Sequence, residues 1–428
     1  KSLFFFKVKY EGVMDWKLAE TEVLLKVDWE RKDDVKELGA KYNGDLKCWY
    51  IPVGKDLLTF RDYWSVLECP YESREIVKRK GARFDKNSKK WYVPSNLDYD
   101  KFYKFWPQEL KKFLFNEKFA GQWAITSGQS DVIFGYDIKE GTYVAIKIFN
   151  ETYDDERTKE AFYREYDTLV NKLGETKGIL KLMDFGKHDI TKFFFHVSEY
   201  CPLTLVDVID QPIEKQFDIY KSSVFEEVQD MSDEDREELE AEFKSIFLKE
   251  KENYDKNGPW IYHKDDLLDI LNLLCETFKK GINHRDIKPA NIFLKWNLED
   301  YDDDNDDEYM VWLLGDFGIS KLHNAGPTIH QLTTQDSRSI PWRPPISLKE
   351  KKFQDTWDVY SWAAIVVSSV LHVHPNSDEE LLELIPKFKD KVSKNIFTII
   401  NQCLHEEPEK RPQNVLELKK MIDNEITS

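Results

Sequence analysis

The sequence predicts an α+β protein with a strand-rich lobe followed by a helical lobe, both preceded by a duplicated α+β module. Three observations predict it. A block of residues near the start of the chain recurs 42 positions later. Strand-like stretches then occupy much of the region from Trp123 to Val197. Beyond these, apolar residues fall at helical spacing, as in Leu267, Ile270, Leu271, Leu274 and Phe278, or fill whole helices, as from Val359 to Leu371.

Size and composition agree with several domains. A chain of 428 residues exceeds one ordinary core and implies two or three. Apolar residues, at 41%, suffice to fill them, and no run nears the roughly 18 residues of a membrane span. Leu3 to Phe6 is apolar but short and gives way to Lys7 and Lys9, so it reads as a buried strand. Cys48, Cys69, Cys201, Cys275 and Cys403 are scattered and odd in number, which suits a reducing, cytoplasmic setting without a disulfide framework or zinc site. No membrane partner is expected, and oligomeric state is left open.

The net charge of −18 is unevenly spread. Residues 1–118 hold 25 Lys and Arg against 20 Asp and Glu, and residues 70–118 alone hold 13 against 7. Everything after residue 118 is strongly acidic. Such a split marks modules with different partners: the acidic part disfavours nucleic acid as its substrate, while a basic, aromatic-rich part leaves nucleic-acid binding open.

The repeat sets the first boundaries: an N-terminal strand segment at 1–24, one copy at 25–66 and a second at 67–118. Gly39-Ala40-Lys41-Tyr42 returns as Gly81-Ala82-Arg83-Phe84, Trp49-Tyr50-Ile51-Pro52 as Trp91-Tyr92-Val93-Pro94, and Phe60 and Trp64 as Phe102 and Trp106. Each copy predicts a short helix (Asp33 to Leu38, Arg74 to Lys80) stopped by glycine, then a hairpin around a polar turn. The pattern resembles a small, poorly characterised domain of bacterial and mobile-element proteins. Three roles fit it. The aromatics build two small cores; or Arg79, Lys80, Arg83, Lys86, Lys89 and Lys90 with exposed rings bind nucleic acid; or the module docks on the acidic remainder of the chain and controls it.

The chemistry lies further on. In His284-Arg285-Asp286-Ile287-Lys288-Pro289-Ala290-Asn291, Asp286 is placed to accept a proton from an attacking hydroxyl. Lys288 supplies a cation for a transferring phosphoryl group, and Asn291 an oxygen for a metal ion. Asp316-Phe317-Gly318 adds a second metal-holding carboxylate at a strand end. Upstream, Val144-Ala145-Ile146-Lys147 alternates as a strand. A helical stretch from Asp155 to Leu173 then gathers Phe162, Glu165, Tyr166 and Leu169 on one face. Together these motifs resemble those of eukaryotic-like serine/threonine protein kinases, with a strand-rich lobe and hinge at 119–204 and a helical lobe at 205–428.

That resemblance implies phosphoryl transfer from ATP, with Mg²⁺ or Mn²⁺, to protein hydroxyls. It assigns the metal to Asn291 and Asp316, the α- and β-phosphates to Lys147 held by Glu165, and the acceptor proton to Asp286. The nucleotide would also meet Gly128, Ala145, Glu199, Cys201 and Phe293, with Ser198 as a small gatekeeper and Glu199 and Cys201 binding adenine through the main chain. Asp358 would anchor the catalytic loop. Departures from the family pattern are equally visible. Only Gly128 survives of the glycine-rich lid, Ala363 stands for a glycine, and Ile346 follows Pro344-Pro345 where a glutamate partner of Arg411 belongs, with Glu350 as its possible replacement. Thr328, Thr333, Thr334, Ser337 and Ser339 are phosphoacceptor candidates, and Arg285 could pair with the resulting phosphate.

Two acidic insertions complete the reading. About 208–263 carries a helix opened by Ser232 and Asp235, with Leu239, Phe243, Ile246 and Phe247 as its stripe; it is a packed accessory element or a docking surface for a basic partner. About 298–309 reads as a solvated loop, since it lacks the glycine and terminal glutamate of a calcium loop. His372 and His374 read as loop residues. Three function classes stand: an active serine/threonine protein kinase that phosphorylates itself and is governed by its repeats, a small-molecule phosphotransferase, and a catalytically weak binding module.

Overall fold

A computed structural model describes residues 16–127, 130–149, 156–209, 211–212, 215–216, 218–219, 233–296, 310–317, 321–322, 341–344 and 354–426. The Leu3–Phe6 run, Gly128, Ser232, the acidic loop and every phosphoacceptor candidate lie outside them. The chain forms two compact units, Lys1–Asp155 with Met183–Tyr200, and Glu156–Leu182 with Cys201–Ser428.

In the first unit the duplication is structural. Strand β1 (Val23–Leu25), helix α1 (Lys32–Glu37), β2 (Lys41–Asn43) and β3 (Cys48–Ile51) are matched by β4 (Val66–Leu67), α2 (Arg74–Arg79), β5 (Arg83–Asp85) and β6 (Lys90–Tyr92). Each copy is an antiparallel three-stranded sheet, ordered β1-β3-β2 and β4-β6-β5. Gly39 and Gly81 end their helices at φ +96° and +99°, a backbone setting that side chains resist. The indoles of Trp64 and Trp106 donate to the carbonyls of Leu57 and Tyr99 at 3.2 and 3.1 Å, the same bond repeated at the same offset.

The expected pair of small cores is instead one. Val35, Ile51, Phe60 and Trp64 of the first copy and Val77, Val93, Phe102 and Trp106 of the second share a single cluster that continues into Phe113 and Ala120. A unit of about 40 residues buries too little apolar surface to stand alone, so the copies pool theirs.

The second layer of this unit is a six-stranded sheet. It contains β7 (Leu114–Phe115), β8 (Phe119–Ser127), β9 (Ser130–Asp137), β10 (Tyr143–Phe149), β11 (Leu182–Lys187) and β12 (Phe194–Glu199) in the order β11-β12-β10-β9-β8-β7. Alternation decides its faces: Val144, Ile146 and Ile148 are wholly buried, so Ala145 and Lys147 turn the other way.

The repeats grip this sheet by polar bonds as well as by apolar contact. Buried Arg61 donates Nε to the Gly121 carbonyl at 3.1 Å and Nη2 to the Asp100 carboxylate. Gln122 of β8 donates to the same carboxylate at 2.9 Å. From the segment before the repeats, Trp16 donates its indole N–H to Asp131 of β9 at 3.0 Å, and Lys17 lies 3.6 Å from that carboxylate.

The second unit is mostly helical. Helix α3 (Glu156–Tyr166) runs into a π-helical stretch to Leu173, then short β13 (Leu203–Thr204) and α4 (Leu205–Ile209) precede two long helices, α5 (Asp233–Asn257) and α6 (Pro259–Lys279). Strands β14 (Ile282–Asn283), β15 (Ile292–Trp296), β16 (Met310–Leu314) and β17 (Lys321–Leu322) carry the loop regions, and α7 (Thr356–Leu371), α8 (Asp378–Lys389), α9 (Lys394–Cys403) and α10 (Val415–Ile426) complete the unit. The core is built on α6 and α7: Leu267, Ile270, Leu271 and Leu274 meet Val359, Trp362, Ile365 and Val366. Helix α8 continues through Pro386 to Lys389, and Phe388 extends its buried face.

Candidate active site

The stretch His284–Asn291 leaves β14 and enters β15, and a single carboxylate shapes its start. Asp358, in the first turn of α7, accepts the backbone N–H of His284 and of Arg285, each at 2.8 Å. Arg285 sits at φ +71°, a strained setting for a side-chain-bearing residue, and those two bonds hold it there. Burial pushes the Asp358 carboxyl up, against the pull of His284, Arg285 and the two amides.

His284 ties the loop to the next strand end. It is buried, its Nε2 lies 2.9 Å from the Gly315 carbonyl, and its ring is 4.5 Å from that of Phe317. The Gly315 N–H donates to the Asn291 carbonyl at 3.1 Å, so Asn291 and Asp316 are held side by side by the backbone. Gly315 has no substitute here: a Cβ would fall 2.6 Å from the ring of Phe293. Asp316 itself adopts φ +58°.

Asp286 is the most heavily engaged group of the loop. Its Oδ2 accepts from Lys288 Nζ at 2.9 Å and from Asn291 Nδ2 at 3.3 Å, while its Oδ1 accepts from Arg343 Nη2 at 2.7 Å. Burial raises its pKa, but Lys288 and Arg343 together outweigh burial and the nearby Asp316, and the net direction is down. Asp286 is therefore held as a carboxylate, the form able to accept a proton.

Asn291 fits the metal role by orientation. Its Nδ2 also donates to the Asp286 carbonyl at 2.8 Å, which leaves the side-chain oxygen as the atom for a cation. With Asp316 this gives hard oxygen donors of the kind Mg²⁺ takes. Among the described residues no group of three His, Cys, Asp or Glu forms a separate metal site.

The remaining candidates fall in both units. Lys147 is half-buried in the centre of the six-stranded sheet, paired in register with His196 and Val132, its Nζ 5.2 Å from the Phe149 ring. Ala145 is its neighbour on that face, and Ser198 reaches the Ala145 carbonyl at 3.5 Å. Glu199 ends β12, Cys201 is buried, and Phe293 pairs with Thr204 and Leu313. On α3, Glu165 is 3% exposed, whereas Glu160 lies outward beside Arg164. A buried carboxylate of this kind has a polar partner. Burial pushes Arg285 down to about 10, against the pull of Asp358 and with Arg164 acting in the same sense.

Arg411 has found carbonyls where the family would offer a glutamate. Its Nε and Nη2 donate to the carbonyls of His405 and Glu406 at 2.7 and 3.2 Å, and its guanidinium lies 5.1 Å from the Tyr360 ring. Ile346 and Glu350 lie outside the described residues. His372 caps α7 in the left-handed region and packs 5.0 Å from His263.

Comparisons with known proteins agree with this geometry. A family model described as "Protein kinase domain" matches residues 248–422, which include the whole loop, Asp316 and Asp358. The chain contains a protein kinase domain. A second, described as "Domain of unknown function (DUF5710)", matches residues 22–65 and again 65–107, the two repeats.

Similar curated proteins include the G2-specific protein kinase fin1 of Schizosaccharomyces pombe, 28% identical over 35% of this chain and 20% of that protein. Serine/threonine-protein kinase Nek11 of Macaca fascicularis is 26% identical over 33% and 21%, and serine/threonine-protein kinase PkaA of Streptomyces coelicolor 27% over 37% and 28%. The chain thus spans 20–28% of the length of these relatives. The kinase-domain match begins inside α5, so the sheet bearing Lys147 precedes it.

Two important residues escaped the sequence reading. Arg343 lies 57 residues from Asp286, with no motif linking them. Arg61 had one faint signal: its counterpart in the second copy is Tyr103, so the repeat breaks where it meets β8.

Proposed function

We propose that the protein is a serine/threonine protein kinase that moves the γ-phosphoryl group of Mg-ATP to a protein hydroxyl. The observation that carries this reading is the Asp286 constellation: a buried carboxylate kept ionised by two cations, beside an asparagine oxygen and a second carboxylate. Mg-ATP supplies the electrophilic phosphorus and its charge-spreading metal. The chain's own residues do the rest. Asp286 orients the acceptor hydroxyl and takes its proton, Lys288 steadies the transferring group, and Asn291 and Asp316 offer oxygens to the metal. By the family resemblance, Lys147 and Glu165 would serve the phosphates, and Ala145, Gly128, Glu199, Cys201 and Phe293 the nucleotide. A phosphate on Thr328, Thr333, Thr334, Ser337 or Ser339 would find Arg285 and Arg164 as its cations.

Radiolabelled ATP with the purified chain and its Asp286→Ala variant tests the reading. Self- or protein labelling should fall by about 10²–10⁴-fold in the variant; labelling that ignores Asp286 sinks it. Equal labelling of a sugar or other small hydroxyl would favour the small-molecule class.

The same proposal extends to the repeats, which sit in one core with β8, the strand that leads to Gly128, and so bear on the nucleotide lid. Their partner is nucleic acid. Phe84 and Trp91 meet edge-on at 5.5 Å on the basic second copy, as Tyr42 and Trp49 do on the first, and Phe84 is half exposed. Trp29 and Tyr71, also exposed, each carry a cation over the ring, Lys32 at 3.4 Å and Arg74 at 3.8 Å. Single strands offer bases to such rings and phosphates to such cations. Among the described residues no helix is long and apolar enough to cross a membrane. A reducing, cytoplasmic setting belongs to this proposal, with no disulfide formed by Cys48, Cys69, Cys201, Cys275 or Cys403.

A further inference from the structure

The contact between Arg343 and Asp286 reaches beyond the base itself, to what the base accepts. Oδ2 of Asp286 is taken by Lys288 and Asn291, so an acceptor hydroxyl approaches at Oδ1, where Arg343 Nη2 now lies at 2.7 Å. The main chain at Arg343 is pinned, because Pro341, Trp342 and Pro344 around it are buried. Only the long side chain is free to change partner. Its Nε is buried and makes no hydrogen bond among the described residues, and its side chain is only 12% exposed. A guanidinium in that position, on losing Asp286 to an incoming hydroxyl, needs another anion at once.

We infer that Arg343 is a specificity-determining residue of the acceptor site, selecting serine or threonine hydroxyls that are flanked by an acidic side chain. This rests on the phosphoryl-transfer reading and names its substrate class. The exchange is simple: the hydroxyl takes Oδ1, and the neighbouring carboxylate of the substrate takes the released Nη2 together with Nε, as a two-pronged pair. In the absence of such a substrate Arg343 returns to Asp286, so neutral and basic acceptors must displace it without compensation. Electrostatic exclusion therefore acts against the wrong substrates as much as attraction acts for the right ones.

The test uses the full chain and peptides that differ only beside the acceptor serine, with Glu, Gln or Lys in the flanking positions. Wild-type protein should favour the Glu peptide over the Gln peptide by roughly tenfold in kcat/KM, the scale of one charge-assisted bond. Arg343→Gln should bring the two peptides together, and Arg343→Glu should turn the preference toward Lys. A wild type without preference, or an Arg343→Gln variant that keeps it, overturns the inference. Peptide binding followed by fluorescence anisotropy gives the same comparison without turnover. If no peptide is labelled in an Asp286-dependent way yet Glu-peptide binding still depends on Arg343, the kinase reading fails, and with it the acceptor-site role, while Arg343 remains a binder of acidic peptides. Thermal unfolding of each variant checks that the change lies in recognition and not in folding; Arg343→Lys, which keeps the charge, should keep part of the preference.

Discussion

Two buried arginine–aspartate pairs, one in each unit, show how differently the same chemistry can be used. In the repeats, Arg61 and Asp100 have side chains 9% and 6% exposed; in the catalytic loop, Arg343 and Asp286 have 12% and 10%. Their carboxyl groups nevertheless shift in opposite directions. Burial raises Asp100, and Arg61 with Gln122 reduces that rise without reversing it. Burial also raises Asp286, but there Lys288 and Arg343 turn the balance. The number of cations decides the sign. The first pair is also closed on itself, since Arg61 bonds the Gly121 carbonyl and lies 4.5 Å from the Trp64 ring and 5.2 Å from that of Trp106. In the second, Arg343 keeps an unused Nε. A saturated pair builds structure, whereas an unsaturated one can exchange partners.

Breaking the closed pair should have the largest effect. Arg61→Met strands the Asp100 charge in the core, an expected loss of about 3–5 kcal/mol in urea or thermal unfolding. Adding Asp100→Leu should recover most of it, because two apolar side chains replace a buried pair at little net cost. A loss confined to a few tenths of a kcal/mol would mean that Arg61 is not a structural linchpin of the repeats.

A finer probe is pH. Asp100, raised in the folded state, contributes stability that is present below the unfolded value of about 3.9 and is lost as pH rises through its higher folded value. Asp286, lowered, contributes stability that is present above about 3.9 and is lost as pH falls through its depressed folded value. Between pH 3 and 6, the stability advantage of wild type over Asp100→Asn should therefore shrink as pH rises, while its advantage over Asp286→Asn should grow. Parallel slopes would erase the contrast between the two sites.

The smallest effect on folding is expected at the exposed ring of the second repeat. Phe84→Ser, 49% exposed in the wild type, should change stability by within about 0.5 kcal/mol. Affinity for a single-stranded oligonucleotide should still fall by about 1–3 kcal/mol, with a salt dependence that Lys86→Gln makes shallower. Binding that is absent or insensitive to salt removes nucleic acid as the partner.

What could be read in the sequence depended on distance along the chain. The proposed catalytic loop was legible because Asp286, Lys288 and Asn291 lie within six residues, and local spacing fixes local geometry. Gly39 and Gly81 were legible for the same reason, since a left-handed helix end asks for glycine wherever it occurs. Helical periodicity put Glu165 on one face with Phe162 and Leu169, and both Glu165 and Phe162 are buried. The merging of the two repeat cores was not legible, because a repeat reports what is duplicated and not how the copies share their apolar faces.

The sequence alone thus determined the class of fold, the duplication and the resemblance to protein kinases, all of which are properties of short spacings and periods. Only the tertiary structure decided that Arg61 joins Asp100 to β8, that Trp16 reaches Asp131 across 115 residues, and that Arg343 sits on the base 57 residues before it. Such contacts carry no signature in spacing. They arise where packing excludes water and each buried charge must find whichever partner the fold has brought near, as Asp286 at the centre of His284–Asn291 has found Arg343.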